Sequence, residues 1–257
     1  MIKLSAVIIT FNEENNIERC ILSVKDIADE IVVVDSYSID RTKEICLKFG
    51  VNFIEHSFID YVHQKNKALE KTAFQYVLSL DADEELSEEL KSAIVAAKSN
   101  WIFDGYTFNR LTNFCGKWIQ HCGWYPDTKI RLWDKSKGKW TGNKLHEKVE
   151  LEKNSTVGFL KGDLLHFSFY TIEQHINQIN KFSKIKAEVL FEKGKNVGFF
   201  KIILSPTIKF VNSYFFKLGF LDGFYGLVVC ANSAHAKFLS YVKLYQLNKN
   251  KKNDRRY

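Results

Sequence analysis

The first hundred residues predict an α/β fold whose core is a parallel, doubly wound sheet. Four short runs of apolar, often β-branched residues alternate with segments in which apolar residues recur every three or four positions. Strands that alternate with helices in this way form parallel sheets with helices packed against them. Polar residues follow three of the runs, and such sheets bind their ligands at the carboxyl ends of the strands. The sequence therefore predicts a site at that edge.

Each predicted strand is an apolar run bounded by polar residues. The first, Leu4–Thr10, and the second, residues 31–34, are typical of strands buried on both faces, because almost every position is apolar. Shorter runs at 51–54 and 76–80 give the third and fourth strands. The spacing of apolar residues predicts the helices, which cover 17–24, 40–49, 63–73 and 87–97.

From about Gly105 the pattern changes. Aromatic residues, glycines and short alternating runs predict a mixed, partly antiparallel extension of the sheet. The chain turns helical after Thr171, and its last part is rich in phenylalanine and lysine. We therefore expect three segments, which are 1–104, 105–198 and a helical, amphipathic, basic extension over 199–257.

Composition and charge exclude several classes of protein. Of 257 residues, 46% are hydrophobic and only 2 are proline, which excludes a disordered chain. The net charge of +7 divides into −4 for residues 1–180 and +11 for residues 181–257, unlike a uniformly basic nucleic-acid binder. The 5 cysteines form no Cys-x-x-Cys pair, which disfavours a zinc or redox motif and favours a reducing compartment. The apolar N-terminal run lacks a cleavage site and is interpreted as a strand rather than a signal peptide.

Two of the polar strand ends permit more than one interpretation. The turn from Thr10 to Glu14 contains no glycine and two carboxylates, so it would repel a bare phosphate. It either faces the base or sugar of a nucleotide or caps the next helix. Asp35 could accept hydrogen bonds from ribose hydroxyls or a base N–H, whereas Ser38 or Asp40 would serve equally well as a helix N-cap.

The most distinctive strand end carries Asp81 and Asp83. Acids at positions i and i+2 project to the same side, which suits Mg²⁺ or Mn²⁺ held by one or two carboxylates together with substrate phosphates. The cation would supply the positive charge that a glycine-rich phosphate loop supplies elsewhere. The alternative is a solvated acidic turn that caps the helix beginning near residue 87.

Four segments in this order and spacing resemble the family 2 glycosyltransferases: VIITFNEE at 7–14, VVDSYSIDRT at 33–42, QKNKAL at 64–69 and LSLDADE at 78–84. The resemblance implies the GT-A type fold, a Rossmann-like mixed sheet with helices on both faces, here followed by a helical extension. Residues 131–133, then Gly142, His146 and Glu147, and the stretch 219–227 are similar to a bacterial subgroup that builds the lipopolysaccharide core.

The resemblance also implies roles for individual residues. Thr10, Asn12 and Glu13 would line the nucleoside pocket, and Asp35, with Ser38 in the same motif, would contact the base or ribose. Lys65 stands near the diphosphate, where the family often has arginine. Asp81 would face the ribose and donor sugar, and Asp83 would ligate the divalent cation. The usual Asp-Asp-Gly-Ser motif is Asp-Ser-Tyr-Ser here, which leaves the identity of the base open.

By the same resemblance, the chain is an inverting, metal-dependent transferase that moves a hexose from a nucleotide-diphosphate sugar, expected to be a UDP-sugar. The acceptor would be a hydroxyl of a glycan or glycolipid in cell-envelope polysaccharide synthesis. Residues 1–104 would bind the donor and 105–198 the acceptor. Such an enzyme would work in the cytoplasm, in peripheral contact with the inner face of the membrane, without nucleic acid.

An inverting transferase needs a general base for the acceptor hydroxyl. Glu147 is the first candidate and Asp127 the second, while His146 could orient Glu147 or approach the metal. His166 could act at the diphosphate or be a structural histidine. The tryptophans nearby, among them Trp140, could stack on sugars or pack in the core.

Two further alternatives remain open from the residues themselves. One is a metal-dependent nucleotidyltransferase or phosphohydrolase, and the other a non-catalytic, membrane-associated module that binds sugar nucleotides. The phenylalanines and lysines of 199–257 would suit the face of an anionic membrane, or would belong to helices packed on the rest of the protein.

Overall fold

The computed structural model describes the backbone of residues 1–143 and 146–254 and the side chains of residues 1–142 and 147–251. The chain forms two compact units. Unit one contains residues 1–111 and 126–167, and unit two contains residues 112–125 and 168–257. Two strands, one over residues 105–114 and one over 157–169, run from the first unit into the second.

The sheet begins with the four predicted parallel strands. They are β1 (Leu4–Thr10), β2 (Glu30–Asp35), β3 (Asn52–Glu55) and β4 (Tyr76–Asp81), and β1 pairs in parallel with both β2 and β4. The helices that follow them in the chain are α1 (Ile17–Val24), α2 (Thr42–Lys48), α3 (Tyr61–Glu70) and α4 (Glu88–Ser99). The predicted elements are confirmed, with ends that shift by a few residues.

The second half of the sheet is antiparallel. Its strands are β5 (Glu84–Leu86), β6 (Gly105–Phe114), β7 (Lys117–Ile119), β8 (Asp127–Asp134) and β11 (Val157–Phe169), while β9 (Gly138–Asn143) and β10 (His146–Leu151) form a separate hairpin. The order is β3-β2-β1-β4-β8-β6-β11-β5, with β7 on β6. This mixed sheet confirms the predicted fold class.

Helices cover both faces of the sheet because β1 is apolar on both sides. Ala6 and Ile8 pack in one buried cluster with residues of α1, α2 and α4. Val7 belongs to a second cluster that contains Ala68 of α3 and Trp140 of β9. Successive side chains of a strand point to opposite faces, so the continuous apolar run produces a buried central strand that fixes where its carboxyl end lies.

Unit two is built around three helices: α5 (Ile172–Glu192), α6 (Phe199–Val211) and α7 (Gly223–Asp254). A π-helical turn, Asn212–Phe216, and a 3₁₀ turn, Gly219–Asp222, join α6 to α7. Within the described part of the chain, no single helix is long and apolar enough to cross a bilayer. The segments Phe199–Phe216 and Gly219–Lys251 reach that length and composition only as a pair bent by 72°.

Buried Asp222 fixes the connection between α6 and α7. Its carboxylate accepts hydrogen bonds from the backbone N–H groups of Gln120 and His121 and lies 3.0 Å from His121 Nδ1. The turn is also closely packed against the start of α7, because a Cβ atom on Gly226 would lie 2.0 Å from the carbonyl oxygen of Gly219. The turn is therefore a defined structure of unit two.

The start of α4 generates the first testable prediction. Ser87 Oγ accepts hydrogen bonds from the backbone N–H groups of Leu90, at 3.2 Å, and Asp163, at 3.0 Å. Ser87→Ala removes both acceptors and is expected to lower the free energy of unfolding by about 1–2 kcal/mol. Ser92→Ala is the matched control, because exposed Ser92 donates only to a carbonyl of its own helix. Urea denaturation of both variants checks this, and equal stabilities would contradict the cap's role.

Candidate functional site

The register of the central strands brings three polar strand ends side by side. Thr10 lies opposite Asp35 on β2, and Ile9 lies opposite Asp81 on β4. The predicted convergence of these residues at one edge of the sheet is therefore present. What distinguishes them is how each side chain is held.

Side-chain hydrogen bonds fasten the loop after β1 to the loop after β2. Buried Asp35 accepts from the backbone N–H of Ser38, at 2.7 Å, and from the Ser38 hydroxyl. Ser38 Oγ in turn accepts from the backbone N–H of Asn12, and Asn12 Oδ1 accepts from that of Ile39. Asn12 has a φ of 54°, a left-handed conformation that asparagine adopts more readily than most residues. Asp35 and Ser38 thus connect the two loops through hydrogen bonds.

The next residues extend this fastening to α2. Asp40 accepts from the backbone N–H groups of Thr42 and Glu14. Neither Ser38 nor Asp40 is the N-cap of α2, because the N-cap position is Arg41 and no side chain caps the helix there. Thr42 Oγ1 accepts from the backbone N–H of Glu13. By contrast, buried Thr10 Oγ1 has no hydrogen-bond partner among the described residues. Within the described residues, the Thr10 hydroxyl is therefore available to a ligand at this edge.

The carboxyl group of Glu13 lies in an acidic surrounding. Burial raises its pKa to about 7, the hydrogen bond from Asn16 opposes the rise, and the charges of Asp83, Asp40 and Asp81 add to it. Glu13 therefore exchanges a proton near neutral pH, and it can act as a hydrogen-bond donor or as an acceptor.

Two buried cations hold the Asp81 carboxylate. Lys65 Nζ lies 2.8 Å from Asp81 Oδ1, and Arg131 Nη2 donates to Asp81 Oδ2 at 3.0 Å. Burial alone would raise the pKa of Asp81, but the charges of Lys65 and Arg131 outweigh it and hold that pKa far below its ordinary value. Asp81 is consequently ionised, and its two oxygens face Lys65 and Arg131. Burial lowers the pKa of Lys65, and the charge of Asp81 opposes that fall.

The network continues behind Asp81 to Asp127. Arg131 also donates to Glu84, which is fully buried, and Glu84 lies 3.5 Å from Arg110. Arg110 pairs with Asp127 at 2.7 Å, and Lys129 pairs with it at 2.9 Å. Burial raises the pKa of Asp127, but Arg110 and Lys129 outweigh it and hold that pKa below its ordinary value. Each oxygen of the Asp127 carboxylate is thus paired with a cation.

Trp140 and Glu147 approach Lys65 from the β9–β10 hairpin. The Lys65 ammonium stands 4.3 Å from the centre of the Trp140 ring, within range of a cation–π interaction. Glu147 Oε1 lies 3.9 Å from Lys65 Nζ, and its side chain is partly exposed. Glu147 therefore lies beside the Asp81 site with one cation at 3.9 Å, whereas Asp127 is paired with two cations at shorter distances.

Tyr61, at the start of α3, lies among these acidic groups. Burial raises the pKa of its phenol, and the charges of Asp81, Glu147, Asp83 and Glu13 raise it further. The phenol thus stays protonated and is half-exposed. Sequence reasoning missed Tyr61, because no motif marks a tyrosine at a helix start.

Asp83 and His166 form the second polar pair of the site. Asp83 Oδ2 lies 3.1 Å from His166 Nε2, and the backbone N–H of Phe167 donates to the Asp83 carbonyl. Among the described residues, no cluster of three or more His, Cys, Asp or Glu side chains has the geometry of a complete metal site. A carboxylate and an imidazole are two suitable donors for a divalent cation whose other ligands come from a bound diphosphate and water.

The remaining sequence predictions concern His146 and His166. The side chain of His146 lies outside the described residues. The sequence alone leaves His166 open between a role at the diphosphate and a structural role, because a histidine at a strand end is commonly structural. Its position beside Asp83 arises from the antiparallel pairing of β11 with β5, in which His166 faces Glu84. A single sequence without known strand pairing carries no signal for that contact.

The raised pKa of Glu13 generates a prediction about stability. Between pH 4.5 and about 7 the folded state binds more protons than the unfolded state, so stability falls as pH rises through this window. Glu13→Gln removes this dependence. The free energy of unfolding of the variant, relative to the wild type, is expected to rise by about 2–3 kcal/mol from pH 4.5 to pH 7.5.

Denaturation at several pH values measures this difference. Glu18→Gln, on the exposed side of α1, is the matched control and is expected to change stability by less than about 0.5 kcal/mol at every pH. If the difference in the free energy of unfolding between Glu13→Gln and wild type does not change with pH, the raised pKa of Glu13 is contradicted.

Comparison with known proteins gives a consistent family assignment. The sequence profile of Glycosyl transferase family 2 matches residues 5–149. An uncharacterised glycosyltransferase, RT0209 of Rickettsia typhi, is 32% identical over 98% of this chain and 90% of its own length. LpsC of Rhizobium meliloti, described as a lipopolysaccharide core biosynthesis glycosyltransferase, is 32% identical over 95% of this chain and 92% of its own.

Solved structures show weaker similarity. Glucosyl-3-phosphoglycerate synthase from Mycobacterium tuberculosis, crystallised with Mn²⁺, UDP and glucosyl-3-phosphoglycerate, is 20% identical over 44% of each chain, with a TM-score of 0.37. S. aureus TarS 1–349 is 15% identical over 96% of this chain and 91% of its own, with a TM-score of 0.44. The match of the family profile and the sequence relatives along nearly the whole chain show that this protein belongs to glycosyl transferase family 2.

Proposed function

We propose that this glycosyltransferase moves a hexose from a UDP-sugar to a hydroxyl of a glycan or glycolipid acceptor, with inversion at the anomeric carbon. The observation that carries the proposal is the fixed arrangement at the sheet edge, where Asp81 is held by Lys65 and Arg131 and Glu147 stands 3.9 Å from Lys65. The similarity to LpsC supports a role in lipopolysaccharide core synthesis. Its place of work would be the cytoplasm, at the inner face of the membrane.

In this proposal the two fastened loops form the nucleoside pocket. Thr10 offers its unpartnered hydroxyl to the donor, and Glu13 offers a carboxyl group able to donate or accept. Asn12 shapes the loop through its left-handed backbone, while Asp35 and Ser38 stabilise the loop through hydrogen bonds. Thr10 and Glu13 would therefore contact the donor, whereas Asp35 and Ser38 would support the loop.

The diphosphate would lie near Asp83, where the donor set fits a divalent cation. Asp83 and His166 would hold Mg²⁺ or Mn²⁺, and the cation would neutralise charge that develops on the departing nucleoside diphosphate. Asp81 was expected to share the metal, but in this proposal it acts differently. Its oxygens already face Lys65 and Arg131, so it orients the ribose or donor sugar while those cations hold it ionised.

Glu147 is the proposed general base. It is partly exposed and lies at the same edge as Asp81, so an acceptor hydroxyl could reach it. Asp127 is the weaker candidate, because Arg110 and Lys129 lower its pKa and occupy its oxygens. Tyr61 would donate a hydrogen bond within the pocket, since its phenol remains protonated. Family membership favours this transfer over the nucleotidyltransferase and non-catalytic alternatives.

The assignment of the base generates a prediction about activity. Glu147→Gln keeps the size of the side chain and removes the proton acceptor, so transfer is expected to fall by about 10²–10⁴-fold while donor binding persists. Transfer from labelled UDP-hexoses to a glycolipid extract measures the first quantity, and calorimetry with UDP measures the second.

Asp127→Asn is the matched comparison for that experiment. Because Asp127 is already held by two cations, we expect its loss to affect transfer less than the loss of Glu147. Normal turnover in Glu147→Gln together with strong loss in Asp127→Asn would reverse the assignment. The anomeric configuration of the product, read by proton NMR, tests inversion, and retention would contradict it.

A further inference from the structure

Unit two exposes many large apolar side chains on one continuous stretch of chain. Phe200 of α6 and Phe216 of the π-helical turn are each 77% exposed, and other large apolar side chains over residues 199–224 are 44–67% exposed. We define the apolar surface by these residues: Phe199, Phe200, Ile203, Leu204, Ile208, Phe215, Phe216, Phe220, Leu221 and Phe224. An accumulation of exposed apolar side chains on this scale marks an interaction site.

The backbone holds this surface in a bent shape. The helical segments before and after residues 217–218 meet at 72°, and Leu218 at the break has a φ of 52°, a conformation unusual for leucine. The break is supported from inside unit two, because the backbone N–H of Cys122 donates to the Lys217 carbonyl and Asp222 is buried against His121. The exposed phenylalanines therefore project from a supported turn.

Within residues 199–247, the exposed charges are all positive. Residues 199–247 contain five lysines and one acidic residue, Asp222. Asp222 is buried. Burial lowers the pKa of Lys209, and the positive charges of Lys217 and Lys237 lower it further. In the part of the chain that the structure describes, none of the three lysines forms an ion pair with an acid.

Together, these charges and apolar side chains select one kind of partner. A second copy of the chain would bring its own lysine cluster against this one, and like charges oppose such contact. An anionic bilayer offers an apolar layer for phenylalanine and negative headgroups for lysine. A spanning arrangement would require the bent pair to straighten or to insert as a hairpin, against the supported turn at 217–222.

We propose that the apolar surface and its lysines dock unit two on the face of an anionic lipid bilayer, with the phenylalanines entering the headgroup region. The binding is peripheral and needs no nucleotide sugar. It is therefore tested separately from sugar transfer, and neither result decides the other.

Sedimentation of the full chain with vesicles tests the apolar part of this contact. Wild type is expected to bind vesicles containing phosphatidylglycerol far better than vesicles of phosphatidylcholine alone, in the absence of donor. The double variant Phe200→Ser/Phe216→Ser should bind about tenfold more weakly or worse, because two exposed rings no longer enter the interface. Ile102→Ser, at an apolar position of unit one that is 65% exposed, is the control and should bind as wild type does.

Neutralising substitutions and a salt titration test whether the lysines contribute to vesicle binding. Lys201→Gln/Lys217→Gln is expected to weaken binding by about fivefold for each lysine removed, whereas Lys25→Gln/Lys153→Gln, two exposed lysines of unit one, should leave it unchanged. Rising ionic strength should weaken wild-type binding, because salt screens exposed charges. Circular dichroism of each variant verifies that the fold is retained.

Three outcomes would overturn the proposal. The first is equal binding of wild type and both unit-two variants to the anionic vesicles. The second is a wild-type dimer in sedimentation velocity that the phenylalanine variant dissociates while vesicle binding stays unchanged, which would assign the surface to a second copy. The third is vesicle-bound protein that resists extraction by alkaline carbonate, which would indicate insertion across the bilayer.

Discussion

The buried ion network around Asp81 is the constraint on which the rest of the site depends. Two buried cations, Lys65 and Arg131, lie together with the fully buried Glu84 against the partly exposed carboxylate of Asp81. Removing one member of such a network leaves an unpaired charge in the interior, which costs several kcal/mol. The network joins α3, β4, β5 and β8, so it holds the parallel and antiparallel parts of the sheet in register at the edge where the chemistry is proposed.

This network also explains why two similar acids play different parts. Asp81 and Asp83 are separated by one residue, yet Asp81 faces fixed cations while Asp83 faces an imidazole. A carboxylate already neutralised by the protein suits orientation of a neutral sugar or ribose. The one beside His166 retains the donor character that a divalent cation needs. The same contrast separates Glu147, near a single ammonium, from Asp127, which is paired with two cations.

Local patterns predicted the half of the fold whose contacts are local. The apolar run at Leu4–Thr10 and the polar residues after each parallel strand placed Thr10, Asp35 and Asp81 at one edge, as observed. The pairing of β11 with β5, which brings His166 to Asp83, depends on contacts between distant segments and left no periodic signal. The Arg110–Asp127 pair escaped prediction for the same reason, since each residue looks like an ordinary surface charge in sequence.

The central claim is that this edge binds a nucleotide-diphosphate sugar together with a divalent cation at Asp83 and His166. Calorimetric titration of the full chain with UDP-hexoses, in Mn²⁺ and in EDTA, measures it most directly. We expect one binding site that needs the cation and that Asp83→Asn weakens by about tenfold or more, equivalent to about 1.4 kcal/mol. Binding of equal strength in EDTA, or in Asp83→Asn with Mn²⁺ present, would contradict it.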